Sequence, residues 1–355
     1  MRAANILDDP AVLAAPGPST MLALAADLGN QLRAAFTAAR SLPDPPSGDG
    51  VRSMVVCGMG GSGISGDLVR VLYSPRLPIP VAVVKGYALP EFCGRDTLVL
   101  ASSFSGNTEE TVAAYSAAVA RGCRVVAITS GGELASLAEA DQVPWVRLPP
   151  DIPMPRAAIG HLAGGPIGLL DAIGLIPSAG EEVEAAALLL AGLAGRLGPD
   201  VPAESNEAKQ LASWIGGRTP VIWGTEGIAE AAALRWKTQV NENAKGPAWH
   251  GVLPELDHNE IEGWSPGAGE AYAAVVLRHA GDHPRVALRV DATIEAVSAS
   301  GLEARQVQGS GTSSLQRLMS LIMVGDFVAS YLGVLRGRDP MPIPVLTALK
   351  RRLGP

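Results

Sequence analysis

Cysteine is scarce in this chain: Cys57, Cys93 and Cys123 are its three, far apart and without any C-x-x-C spacing. So odd and sparse a set excludes a disulfide framework and a cysteine-based zinc site, and reads as reduced thiols in a cytosolic protein. Aromatic residues supply only 4% of the 355 positions, whereas Ala and Gly abound. Packing must therefore rest on small side chains pressed between helix and sheet. Positive charge is also short, with 28 Lys and Arg against 35 Asp and Glu and a formal net charge of −7. That balance excludes a nucleic-acid binder relying on a general basic surface, but a small anion can still be held by backbone dipoles. No apolar h-region follows the opening MRAANILDDPAV, so no signal peptide is expected and the location reads as cytoplasmic. The longest apolar tract, LMSLIMVGDFVASYLGVL, carries Asp326 in its middle and reads as a buried core helix, with no membrane partner.

What is present is a large apolar fraction, 47%, with 18% charged residues, enough to build a sizeable core and to exclude global disorder. Residues 18–40 keep apolar positions at three- and four-residue spacing and predict one amphipathic helix, followed by the Pro/Gly-rich connector SLPDPPSGDG. Short β-rich runs at 53–57, 81–84, 97–102 and 124–129 then alternate with helical stretches at 64–73 and 109–122. Such alternation implies an α/β domain with a doubly wound parallel sheet. From 156 to 213 the chain is Ala/Leu-rich and helical, broken near 176–182. Alternation resumes with a strand at 220–224, a helix through IAEAAALRWKTQV, and β-rich runs at 271–278 and 285–290 before a long helix at about 313–336. MVVCGMGGSG and VIWGTEG both have the form strand, Gly turn, helix, so the chain reads as two copies of one α/β unit. The expected division is an N-terminal helical extension and linker (1–50), a first domain (51–155), a helical connector (156–213), a second domain (214–335) and a C-terminal segment with a helix (336–355).

The segment VVCGMGGSGISG places five glycines within nine residues behind a β-branched run. Gly58, Gly60 and Gly63 satisfy G-x-G-x-x-G, but a dinucleotide site also needs an acid about 20 residues on, and Lys85 stands there instead. A triphosphate loop needs a Lys directly after the glycines, and none follows. A tight βα turn packed closely on the sheet, without ligand, is the alternative reading of this segment. The second loop, SSFSGNTEET, sets Ser103, Ser105 and Thr108 around a glycine at a helix N-terminus. Ordinary capping of that helix needs only one hydroxyl. Three of them, with a Gly-rich loop at the carboxyl end of another parallel strand, point to one monophosphate in a sheet crevice.

GMGGSG together with SFSGNTEET resembles the phosphosugar-binding loops of sugar isomerase (SIS) domains. RWKTQVNENAKGPAWHGVLPELDHNEIEGW (235–264) and DPMPIPVLTALKRRL (339–353) closely resemble the bifunctional phosphoglucose/phosphomannose isomerases, a family with two SIS domains. The resemblance runs from about residue 50 to the end. It implies an α/β fold of two doubly wound parallel-sheet, flavodoxin-like domains with helical N- and C-terminal extensions. It implies an aldose–ketose isomerase that interconverts fructose 6-phosphate with glucose 6-phosphate, mannose 6-phosphate or both, through a cis-enediol.

The roles the resemblance implies are specific. Gly61, Ser62, Ser103, Ser105 and Thr108 match the groups that hold the substrate phosphate. Glu242, in N-E-N, matches the base that moves a proton between C1 and C2. His258, in LDHNE, matches the residue that opens the sugar ring; in dimeric relatives the neighbouring subunit supplies it, so a homodimer is implied. Arg156 matches the family's arginine, whose task is to stabilise the enediolate. Lys350 matches a lysine near the ring oxygen, with Arg351 and Arg352 beside it. His250, His279 and His283 lie outside these motifs and read as structural, and His161 receives no role. No clustered set of metal ligands appears, so no metal or other cofactor is expected. Met341 and Ile343 are apolar where a hydroxyl near C2 is expected, which bears on epimer tolerance rather than on the isomerase chemistry. The alternative is a non-catalytic phosphosugar-binding regulator, which would keep the loops and dispense with Glu242 and His258.

Overall fold

The computed structural model describes residues 6–353; residues 1–5 and 354–355, the outermost parts of the expected terminal segments, lie outside the described residues. The helices, in chain order, begin with α1 (Pro10–Leu13), α2 (Pro16–Ala26) and α3 (Leu28–Arg40). The first alternating stretch is β1 (Ser53–Cys57), α4 (Gly60–Tyr73), β2 (Val81–Val84), β3 (Thr97–Ser102), α5 (Glu109–Ala120), β4 (Arg124–Thr129), α6 (Gly132–Ala140) and β5 (Trp145–Arg147). Helices α7 (Ile159–Ala172), α8 (Gly180–Leu197) and α9 (Glu207–Ile215) follow. The second alternating stretch is β6 (Thr219–Thr225), α10 (Ile228–Asn243), β7 (Trp249–Leu253), β8 (Tyr272–His279), α11 (Pro284–Ser298) and β9 (Glu303–Gly309). Helices α12 (Ser314–Leu335) and α13 (Pro344–Leu353) complete the chain.

The chain divides into two compact units. One comprises Asp27–Ala191 and Gly311–Gln316; the other comprises Met1–Ala26, Gly192–Ser310 and Arg317–Pro355.

The first unit holds a five-stranded parallel sheet in the order β2-β1-β3-β4-β5. This is the flavodoxin-like order, in which the winding reverses between β1 and β3 and leaves a crevice at the carboxyl ends of those strands. Both strands are buried along their whole length, as parallel strands covered on two faces must be. One covering layer is the pair α3 and α7, which meet backbone to backbone. A β-carbon at Gly160 would lie 2.6 Å from the Leu28 carbonyl oxygen. At Gly164 it would lie 2.3 Å from that of Leu32, and at Gly168 2.2 Å from that of Phe36. Glycine every fourth residue along α7 thus makes a groove into which α3 settles.

The second unit repeats the plan with a four-stranded parallel sheet, β7-β6-β8-β9. Its central strands β6 and β8 are buried except at their ends. The turn from β6 to α10 is as close as a turn can be, since a β-carbon on Gly224 would sit 2.3 Å from the Ala229 carbonyl oxygen. Helix α12 is the apolar tract singled out in the sequence, and 94% of its most apolar window is buried in the protein. Its Asp326 is held by Arg235 of α10 through two hydrogen bonds of 3.1 and 2.7 Å. Burial pushes the Asp326 carboxyl upward while the guanidinium opposes the shift.

Three expectations are corrected. The run RVALRV at 285–290 is not a strand but lies inside α11. Its buried residues Val286, Val290, Thr293 and Val297 recur at helical spacing, and His283 caps the helix by accepting from the Arg285 N–H at 3.1 Å. Residues 18–40 form not one helix but α2 and α3, interrupted at Asp27, whose ψ of 1° leaves the helical range. Helix α4 starts at Gly60 and not near 64, so the glycine loop is the first turn of the helix.

Candidate active site

Strand β1 ends at Cys57, and the chain turns through Gly58 and Met59 into α4. Gly60 adopts φ +52°, open to glycine at no steric cost. Gly61 faces the 3₁₀ turn Pro155–Ala158; a β-carbon there would lie 3.1 Å from the Pro155 carbonyl carbon and 3.2 Å from the Arg156 nitrogen. Ser62 is buried, and its hydroxyl oxygen accepts the Phe104 N–H at 3.0 Å. The first loop is thereby tied both to the Arg156 turn and to the second loop.

The second loop leaves β3 at Ser102 and enters α5 at Glu109. Ser103, fully buried, donates its hydroxyl to Thr108 Oγ1 at 2.9 Å and accepts the Gly106 N–H at 3.1 Å. Thr108 occupies the N-cap position of α5, yet its side chain makes no capping hydrogen bond. The capping reading is therefore not what the hydroxyls do. The first turn of α5, with its N–H dipoles, is left to another acceptor. Ser105 is exposed, and its oxygen accepts the Asn107 N–H at 3.3 Å. Gly106 has φ +72°, and a β-carbon on it would fall 1.8 Å from the Gly131 carbonyl oxygen. Asn107 in turn accepts the Glu133 N–H at 2.9 Å, which fixes this loop to the start of α6.

Arg156 is buried on its 3₁₀ turn. The turn is gripped by Gln31 of α3, whose amide donates to the Ala157 carbonyl at 3.1 Å and accepts the Gly160 N–H at 3.3 Å. His161, one residue further, is buried, and burial lowers its pKa against the opposing pull of Asp27 and Asp151. Lys85, which broke the dinucleotide pattern, pairs with Asp67 at 2.5 Å across the carboxyl side of the sheet. The first unit thus brings Gly61, Ser62, Ser103, Thr108 and the Arg156 turn together, with Ser105 at the solvent edge.

In the second unit, Glu242 is half-buried in the last turn of α10. Lys245, at φ +53°, donates to the Glu242 carbonyl and, at 3.3 Å, to the Pro340 carbonyl. A cation at a helix C-terminus is favourably placed, and this one also ties the end of α10 to the segment before α13. The middle of the helix is fixed by Arg235 and by Trp236, whose indole donates to the Leu321 carbonyl at 2.7 Å.

His258 is exposed at the end of a 3₁₀ turn, Glu255–His258. The turn is anchored by its neighbour Asp257, which accepts from Thr293 at 2.7 Å and from Arg289 at 3.1 Å, both on α11. Lys350 is exposed on α13, a helix with no buried residue. His250 is exposed on β7, and His279 accepts the Gly281 N–H at 3.0 Å beside Asp282.

The comparisons with known proteins bear on both units. Residues 204–353 match the model of the bacterial phospho-glucose isomerase C-terminal SIS domain. The bifunctional phosphoglucose/phosphomannose isomerase of Caldicellulosiruptor bescii is 37% identical over 330 residues, covering 92% of this chain and 97% of its own. The chain belongs to the bifunctional phosphoglucose/phosphomannose isomerase family. The family member from Aquifex aeolicus is 34% identical over 304 residues, 85% of this chain and 90% of its own. The fold also matches the C-terminal domain of glucosamine-fructose-6-phosphate aminotransferase from Francisella tularensis, with a TM-score of 0.67 at 11% identity. That match covers 90% of this chain and 97% of the other, and it speaks to the fold alone.

Sequence reasoning missed two residues that hold the family's motifs in place. Gln31 gave a faint signal, a polar residue on the same buried stripe as Leu28, Leu32 and Ala35. Lys245 stood in plain view three residues after Glu242, but only its left-handed backbone turns it back onto that helix end.

Proposed function

We propose that this chain is a metal-independent aldose–ketose isomerase acting on hexose 6-phosphates in the cytoplasm. It interconverts fructose 6-phosphate with glucose 6-phosphate, mannose 6-phosphate or both, through a cis-enediol. The observation that carries this reading is membership of the family over nearly the whole chain, 92% of it against a relative named for both activities.

Ser62, Ser103, Ser105, Thr108 and the Gly61 backbone hold the phosphate in this reading. The uncapped first turn of α5 supports it, because a phosphate supplies the acceptor which the Thr108 side chain does not. Glu242 takes the proton from one of C1 and C2 and returns it to the other. Arg156 stabilises the negative charge of the enediolate, and its burial strengthens that interaction. His258 moves the proton that opens the ring, and Lys350 acts near the ring oxygen. The protein works as a homodimer in which His258 is given to the neighbouring subunit. The exposure of His258 on its own chain is what such a donation requires.

The test is a coupled assay with glucose 6-phosphate and mannose 6-phosphate offered separately. Glu242→Gln should abolish turnover on either sugar while leaving phosphosugar binding in place. Full activity in that variant would dismiss Glu242 as the base, and wild-type protein that binds both sugars without turnover would mark a regulator instead.

A further inference from the structure

Two adjoining cavities, of about 640 and 620 Å³, border β9, an edge strand of the second unit. Both lie in the size range of small-molecule sites, and neither contains a residue of the motifs described above. They share Gln210 and Arg305.

Arg305 is the unusual member. Its guanidinium lies 4.8 Å from the centre of the Trp214 ring and feels the Glu303 carboxylate electrostatically, but among the described residues it makes no hydrogen bond or ion pair. Arg218 lies over the same ring at 4.6 Å, but its donors are taken up by Glu303 at 2.9 Å and by the Trp214 carbonyl. Trp214 is itself pinned, its indole donating to Glu303 at 2.9 Å. A fixed ring therefore supports a planar cation whose donor fork is unused. This is how arginine is prepared for an oxyanion.

The rest of the lining narrows the ligand. Arg196 brings a second guanidinium to the larger cavity, where its nearest acceptor is a carbonyl of its own helix at 3.5 Å. Gln210, Gln308 and Glu207 offer amides and a carboxylate suited to hydroxyl groups. The smaller cavity is lined by two acids, Asp8 and Glu204; Asp8 is already used by the Ala203 N–H at 2.8 Å and by Lys209.

We propose that the second unit carries a separate binding site for a small polyhydroxylated metabolite bearing an oxyanion, with Arg305 and Arg196 as its anion-binding pair. It is distinct from the phosphate loops, since every lining residue belongs to the second unit and those loops belong to the first.

The experiment is titration calorimetry with two probes, sorbitol 6-phosphate and gluconate, which separate a phosphate from a carboxylate. It is run on full-length protein carrying Ser103→Ala and Thr108→Val, so that the loops contribute little. At least one probe should bind, and adding Arg305→Gln should weaken it about tenfold or more, the loss of a charge-assisted pair. Arg196→Gln should weaken the same probe. With the loops intact, Arg305→Gln should leave kcat at saturating substrate unchanged. Because both arginines are exposed, the variants should melt like their parent. The site is overturned if neither probe binds, or if the Arg305→Gln protein binds as tightly as its parent.

Discussion

Ser103 donates its hydroxyl hydrogen to Thr108 at 2.9 Å, closing the loop in front of α5 with a bond between two residues that would ordinarily compete to cap it. The consequence is an N-terminus with an ordered rim and no capping bond from the Thr108 side chain. Replacing either residue removes a donor from the rim without disturbing the buried strand behind it. Ser103→Ala and Thr108→Val should each raise KM for the sugar phosphate about tenfold to a hundredfold, from the ~1.5–3 kcal/mol carried by a hydrogen bond to a charged group. Initial rates over a range of substrate concentrations would show it, and an unchanged KM in both variants would move the phosphate elsewhere.

Gln31 should behave as a positioning residue. Gln31→Leu leaves the Ala157 carbonyl and the Gly160 N–H without their buried partner, at a cost of about 1–3 kcal/mol for each group. The melting temperature should fall. Because the displaced turn carries Arg156, kcat should fall more than KM rises. Gln31→Glu should recover less than Gln31 itself, since a carboxylate cannot donate to Ala157. Loss of stability with unaltered kcat would make Gln31 purely structural.

How much of this was legible beforehand depends on burial. The strands β1, β3 and β4 announce themselves because a strand covered on both faces must be a nearly continuous apolar run. Strand β9 is invisible for the opposite reason: EARQVQG lies at an edge and buries only its last residue. RVALRV misled because six residues admit both periods, and only the longer reach to Thr293 and Val297 decides for a helix. The two loops after β1 and β3 were legible as motifs, whereas their mutual bonds were not. The pairing of Ser62 with Phe104 spans 42 positions and depends on β1 and β3 lying side by side.

Complementation tests the proposal that His258 serves the neighbouring subunit. Glu242→Gln and His258→Asn homodimers should each be inactive. If they are mixed under conditions that exchange subunits, half the dimers are hybrids, and each hybrid assembles one intact site when His258 acts on its neighbour. About a quarter of wild-type activity should therefore return. No recovery, with exchange verified by native mass spectrometry, would place His258 in its own chain's site.

Acid should destabilise the protein through His161. Burial holds its folded-state pKa below the ordinary value of 6.5, so the unfolded chain takes up the proton first. Stability from this group is complete above the unfolded value and is lost as the pH falls from there through the folded one. His279, also lowered chiefly by burial, acts in the same direction. Melting temperatures measured from pH 7.5 to pH 5 should fall for the wild type and fall less steeply for His161→Gln. Parallel curves would exonerate His161.

Chelation should leave the reaction alone. Incubation with EDTA followed by the coupled assay should return the untreated rate, because proton transfer between C1 and C2 needs only a base and an electrostatic partner. Loss of activity that zinc restores would refute this.

The groove that Gly160, Gly164 and Gly168 open for α3 makes a broader point about reading mutational data on this protein. None of the three carries a functional group, yet a single methyl at any of them would drive α7 off Leu28, Leu32 or Phe36. The Arg156 turn, joined to the start of α7, would be carried along. A saturation screen scored by growth would therefore rank these glycines with the reacting residues. Intolerance to substitution here measures how closely two backbones approach, and only a separate assay of folding can tell that from chemistry.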